Sequence, residues 1–344
     1  MNDSIAIVNP LTEPNWDQLL LAHSGHSFFH SSIWAKTLAA SYGFNPVYFT
    51  RYNGSRIEEL IPVMEINNLF MHKKGVSLPF SDMSEPMTVS NDVFENIIAY
   101  GERKHWKSFE LRGNLSTPNP LAQAASGEFY NHTLALQENP DAVFKGFSNG
   151  NKGNIKKAAR ENVAVTISTS MESLKAFFQL HSLTRKRHGS PPQPFAFFKQ
   201  VHDNILQNGN GFIVLATHDK RPIAGAMFFY FGSMAVYKYA ASDLHYQGLR
   251  ANNLVMWEAI QWFCKNKVQR MVMGRTEKSN DGLRHYKAGW GAKEELLRYY
   301  TYDFSTKQFL NEDNGVPGLY TTIFKKLPLP VLNAIGALVY KYVA

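Results

Sequence analysis

The chain has 344 residues, 44% hydrophobic and 19% charged, which is globular material in sufficient quantity for two cores of ordinary size. Its formal charge of +8 is local: Lys145, Lys152, Lys156, Lys157, Arg160, Lys175, Arg185, Lys186 and Arg187 fall in one stretch, which is either a solvated helix face or a field for an anionic partner such as phosphate, nucleic acid or lipid headgroup. One cysteine, Cys264, excludes an internal disulfide and a multi-cysteine zinc site; an amino terminus without a basic segment before an apolar core, and the lack of an apolar run long enough for a bilayer, complete the case for an expected cytoplasmic address.

Ser32 followed by Ile33, Trp34, Leu38 and Tyr42, with Gly43 as stop, predicts a capped amphipathic helix. Val47 to Arg51, Asn53-Gly54 and Ile57 to Ile66 read as a hairpin with a favoured tight turn. A helix over Val93 to Lys104 and a short buried strand over Ser108 to Leu111 follow. The polar region Gly113 to Asn131 reads as loop and linker.

From Lys152 a basic helix runs to Glu161, a strand takes Val163 to Ser168, and a long helix extends from about Glu172 to His188 with Gly189 as its stop. Phe195 to Leu206 is helical. Phe212 to Thr217, Ile223 to Phe231 and Met234 to Ala241 form three consecutive antiparallel strands. Asn252 to Lys265 is an amphipathic helix, Arg270 to Met273 a buried strand, Asp281 to Ala288 a short helix and Leu296 to Phe304 a final strand.

This order resembles that of an acetyltransferase domain, and the first half shows the same beginning without a visible sequence repeat. The expected fold is therefore α/β (α+β): two tandem GNAT-like (acyl-CoA N-acyltransferase) domains, each a mixed, mostly antiparallel sheet flanked by helices. The first takes 1–145 and the second 146–319, with the tail 320–344 available to pack back on the first.

In such folds the strand before the central helix splays from its neighbour, and the acyl donor enters there with its phosphates near the helix start. The matching loop, Gln247-Gly248-Leu249-Arg250-Ala251, half resembles the Gln/Arg-x-x-Gly-x-Gly/Ala loop that grips coenzyme A. Gln247, Gly248 and Arg250 are its cofactor-binding candidates, although Gly248 also reads as a plain turn residue.

The stretch from Gly274 to Ala292 combines a strand end bearing Arg275, a polar loop, a short helix presenting Tyr286 and Lys287, and a glycine-flanked Trp290. Asp281-Gly282-Leu283, Tyr286-Lys287 and Trp290-Gly291 resemble the Phe-Lys motif of the Fem family of peptidoglycan aminoacyltransferases and of its Fem-like acetyltransferase-domain relatives. The segments 28–36, 77–82, 184–189 and 237–242 agree in order, so the resemblance spans nearly the whole chain.

The resemblance implies transfer of an aminoacyl or acyl group to an amine of a cell-envelope or exopolysaccharide precursor, from aminoacyl-tRNA or from acyl-CoA. By position Lys36 and Arg187 are similar to the residues that hold the diphosphate of a nucleotide-linked acceptor. Tyr239 resembles a tyrosine of the same cleft, Lys287 the lysine that steadies developing charge, and Arg275 joins the substrate-binding set. Tyr286 stands where the family usually has phenylalanine.

The chemistry asks little else of the protein. An acyl ester carries its own leaving group, so amine attack needs positioning and oxyanion stabilisation rather than a protein nucleophile. The amine must lose a proton, for which Asp243, Glu277 and Tyr239 are candidates. Tyr237 and Tyr239 alternate on a strand and are expected on one side.

Other readings stand beside these. Lys36 sits where a solvated lysine is common, and Arg185 to Arg187 suit a helix carboxyl end. His105, His181, His202 and His218 are dispersed, and no metal is expected. The tail, basic at Lys325-Lys326 and apolar after, packs on the protein or lies on an anionic inner membrane surface. A non-catalytic RNA- or membrane-docking protein is the third reading, and the oligomeric state is open.

Overall fold

The computed structural model describes residues 4–67, 72–87, 90–115, 125–311 and 319–342. Residues 116–124 of the expected linker lie outside the described residues. The chain divides into two compact units: 1–130 with 296–316 and 339–344, and 131–295 with 317–338. The expected domains were 1–145 and 146–319.

In chain order the first unit contains β1 (Ala6–Val8), α1 (Trp16–Leu21), α2 (Ser32–Tyr42), β2 (Asn45–Asn53), β3 (Arg56–Asn67), β4 (Lys73–Val76), α3 (Asn91–Arg103) and β5 (Trp106–Arg112). The chain passes to the second unit within β6 (Gly127–Ala135). There follow α4 (Pro140–Lys145), α5 (Asn149–Arg160), β7 (Ala164–Ser168), α6 (Met171–Arg187), α7 (Phe195–Val201), β8 (Gly211–His218), β9 (Arg221–Phe231), β10 (Met234–Ser242), α8 (Ala251–Lys265), β11 (Arg270–Glu277) and α9 (Asp281–Ala288). β12 (Lys293–Asp303) returns to the first unit, β13 (Gln308–Phe309) follows, and α10 (Leu319–Lys326) and α11 (Leu329–Val339) close the chain.

In the first unit the sheet order is β1-β2-β3-β4-β5-β12, antiparallel except for the parallel β4–β5 pair that α3 connects. The Ser31 hydroxyl accepts from Trp34 N to start α2, and Gly43, at φ 72°, ends it in the left-handed region that glycine favours. Val93, Phe94 and Ile97 of α3 pack on Phe49, Ile61 and Phe109 of the sheet. The strand expected to close the second domain instead pairs with β5, Tyr300 opposite Leu111.

In the second unit the order is β6-β11-β10-β9-β8-β7. The meander β7 to β10 is antiparallel and β10–β11 is parallel. Leu134, Leu136 and Val143 belong to this unit's core with Phe228, Phe263 and Trp290, which is why the chain between 131 and 145 goes with it. The region expected as linker therefore ends in a strand, β6. α8 packs over β8 and β9 on one face and α6 over β9 and β10, so each helix buries its apolar stripe on the sheet. Each unit is a mixed, mostly antiparallel sheet flanked by helices.

Candidate active site

In the second unit the parallel register of β10 with β11 runs from Met234 opposite Arg270 to Val236 opposite Val272. Both strands continue, to Ser242 and Glu277, while β10 stays paired with β9, across one register shift, as far as Ser242 opposite Ala224. β10 and β11 thus part into a fork beyond Val236 and Val272. Tyr286 stands in this region, edge-on to Trp290 with ring centroids 6.0 Å apart, its hydroxyl facing that of Tyr237. Burial pushes its pKa up to about 12, so the hydroxyl keeps its proton at neutral pH.

Beside the fork lies a pocket of about 210 Å³ at the start of α8, lined by Ile223, Ala224, Ser242, Asp243, Tyr246, Gln247, Arg250 to Asn253, Asn154 and Tyr286. Arg250 is the residue before α8, at φ 60° and ψ 25°, and its side chain makes no cap hydrogen bond. Within the first turn Asn253 N donates to Arg250 O at 3.0 Å, and the amino-terminal, positive end of this 15-residue helix adjoins the pocket. Asn253 Nδ2 donates to Asn151 Oδ1 at 3.1 Å and ties α8 to α5 behind the pocket.

Residues 147–288 match the family model of the acetyltransferase (GNAT) domain. This segment carries the likeness to the GNAT family. The match takes in less than half of the chain, and no curated protein matches the chain. Among solved structures it is similar to FemX, at 12% identity and a TM-score of 0.66 over 86% of this chain and 96% of that one. It is similar also to a tandem GNAT protein from the clavulanic acid biosynthesis pathway (11%, 0.55, 88% and 98%) and to L-PGS from Bacillus licheniformis (12%, 0.50, 95% and 97%). At such identities the likeness is one of fold, and that fold is the tandem GNAT arrangement.

Within this segment the expected site residues take different places. Gln247, Arg250, Asp243 and Tyr286 meet in the pocket. Gly248 is not among its lining, a Cβ there would meet nothing within 4 Å, and its φ is not positive. The left-handed position belongs to Arg250, so the place that calls for glycine in this loop carries arginine.

Asp243 is committed to the loop. Its N–H donates to Ile223 O at 2.9 Å, its Oδ1 accepts from His245 N at 3.0 Å, and its Oδ2 lies 3.4 Å from Arg221 Nη2. Arg221 in turn lies over the Tyr246 ring, 5.4 Å from its centroid. The carboxylate fixes the pocket's rim.

Lys287 is buried, and its ammonium donates to Gly274 O at 2.6 Å, Thr276 Oγ1 at 2.8 Å and Arg275 O at 3.3 Å. These oxygens lie on β11 beyond its register with β10, where Gly274 sits at φ 76°. The lysine clamps the part of β11 that has parted from β10. Arg275 itself pairs with Glu277 at 3.3 Å.

Tyr237 and Tyr239 were expected on one side of β10. A register shift lies between them, Tyr237 opposite Phe228 and Tyr239 opposite Met227. Tyr237 therefore stacks on Phe228 in the core under α8, while Tyr239 packs on His181 and Phe198 and donates to Gln193 Oε1 at 2.8 Å. The extra residue, Lys238, reverses the alternation.

Arg187, at the end of α6, donates to Ser242 O at 3.4 Å. Lys36 is exposed on α2 in the first unit, in a groove with Asp17, Glu13 and Ser32. Sequence reasoning missed Asn154, Tyr246, Asn252 and Asn253 as pocket lining, and Arg221 as its brace; a lone asparagine carries no spacing signal. It also missed buried His132, whose Nε2 lies 3.1 Å from Glu294 Oε2. Burial first, then the Lys287 charge, lower the His132 pKa, and Arg284 holds Glu294 through two 2.9 Å hydrogen bonds that lower its pKa.

Among the described residues no group of three His, Cys, Asp or Glu side chains is placed to hold a metal ion, and no helix is long and apolar enough to cross a membrane.

Proposed function

We propose that this protein is an N-acyltransferase that binds an acyl-CoA in the fork of β10 and β11, with the donor's phosphates against the first turn of α8. The observation that carries this reading is the parting of the strands beyond Val236 and Val272, beside a pocket at the amino-terminal end of a 15-residue helix. Backbone N–H groups and the positive end of the helix dipole suit phosphate there, and the Arg250 guanidinium adds charge.

In this reading an amine nitrogen attacks the thioester carbonyl carbon. The C–N bond forms, the C–S bond breaks, the nitrogen loses a proton and the sulfur gains one. Tyr286, in the pocket wall and protonated at neutral pH, donates to the departing sulfur and is reprotonated from solvent. Lys287 holds β11 in place and does not meet the donor.

The acceptor we assign is an amine on a cell-envelope or exopolysaccharide precursor, and the site of action the cytoplasm. The fold shared with FemX and L-PGS supports an envelope substrate. Aminoacyl-tRNA is the second donor reading, favoured by Lys152, Lys156, Lys157 and Arg160 on α5, the helix tied to α8.

The test offers acetyl-CoA and aminoacyl-tRNA to the protein with a panel of amines including nucleotide-linked amino sugars, following thiol release and product mass. Thiol release matched by an amide of the added acyl mass supports the reading. Products from aminoacyl-tRNA alone select the second donor, and none from either overturns the assignment.

A further inference from the structure

The sequence from 314 to 344 contains no Asp or Glu and three lysines, Lys325, Lys326 and Lys341. Within α11, Leu332 is fully buried, and Gly336 lies so close to the loop before α7 that a Cβ would stand 2.1 Å from Pro192 O. Val331 and Leu338 are 43% and 69% exposed, and Ala334 between them is exposed too. The spacing of three and four residues sets these on one stripe, opposite the side that Leu332 and Gly336 bury. On α10, Ile323 is 51% exposed.

Charge surrounds the start of this segment. Gly189, after α6, abuts the backbone of Thr321 on α10, and the charges of Arg187, Arg185 and Lys325 all act on His188. Large exposed apolar side chains on a segment without acids, next to a cationic cluster, fit a surface that is both anionic and apolar beneath. A second copy of the same face would bring like charges together and fits poorly.

We propose that α10 and α11 dock the protein on a membrane surface rich in anionic phospholipid, with Ile323, Val331 and Leu338 entering the headgroup boundary and Lys325 and Lys326 meeting headgroup phosphates. The inference does not depend on the transferase reading.

Co-sedimentation of the full chain with vesicles of phosphatidylethanolamine and phosphatidylglycerol, against vesicles of phosphatidylcholine alone, tests it. Binding to the anionic vesicles is expected to exceed that to the neutral ones by about tenfold or more. Val331→Asp with Leu338→Asp, and Lys325→Glu with Lys326→Glu, are each expected to lower it by about tenfold. All four side chains are exposed, so thermal unfolding is expected to be unchanged and serves as the control for folding. No binding to anionic vesicles, binding that the variants do not weaken, or a dimer in sedimentation velocity that Leu338→Asp dissolves would overturn the proposal.

Discussion

The Lys287 ammonium lies 2.6 Å from Gly274 O and 2.8 Å from Thr276 Oγ1, which makes it a buried brace of the part of β11 that has parted from β10. Replacing it with methionine removes donors from buried oxygens, so Lys287→Met is expected to cost about 1–3 kcal/mol in urea unfolding along with transfer activity. A lysine acting only on the reacting atoms would leave stability unchanged.

Tyr286 makes the opposite prediction. Its hydroxyl is buried and faces the Tyr237 hydroxyl without a hydrogen bond of good geometry, so Tyr286→Phe is expected to leave stability within about 1 kcal/mol of the wild type. If that proton goes to the leaving sulfur, turnover falls by about 10²–10⁴-fold. The pair of variants thus separates bracing from chemistry.

The loop before α8 gives a third test. Arg250→Gly relieves a left-handed backbone that costs a non-glycine residue about 1 kcal/mol, yet removes the guanidinium from the pocket. Unfolding free energy is expected to hold or rise while calorimetric affinity for acetyl-CoA falls about tenfold. Gly248→Ala is expected to change neither, because space around its Cα is open.

Two buried histidines set an acid limit. Burial lowers His30 and His181 to about 3 from an ordinary 6.5, so both are neutral in the folded protein near pH 5 and charged in the unfolded chain. The unfolded state then binds more protons. Stability is complete above pH 6.5 and falls as pH drops toward 3, by about 1.4 kcal/mol per pH unit for each histidine. Urea unfolding from pH 7 to pH 5 measures the slope, which His181→Phe is expected to reduce.

Elements whose signals are local were legible in the sequence. α9 spans Asp281 to Ala288 as expected, and α2 runs from Ser32 to Tyr42 between a serine cap and Gly43. β4 was not legible, being four residues beginning Lys73-Lys74, nor was the pairing of β12 with β5, which lie far apart in the chain.

The site was half legible for similar reasons. Tyr286-Lys287 stood out, but the partners of Lys287 are backbone carbonyls placed by the fold. The bulge at Lys238 has no signature, so the opposed faces of Tyr237 and Tyr239 were hidden. Arg250 fills the left-handed position of the donor loop, and without a glycine there the usual sequence signal is lost.

Hydrogen exchange followed by mass spectrometry, with and without acetyl-CoA, tests the central claim most directly, because it reads where the donor binds. The account predicts that acetyl-CoA slows exchange in 243–254, at the loop and first turn of α8, and in 272–288, along the parted end of β11 and α9. Unchanged exchange in both segments at saturating acetyl-CoA, or slowing confined to the first unit, would contradict it.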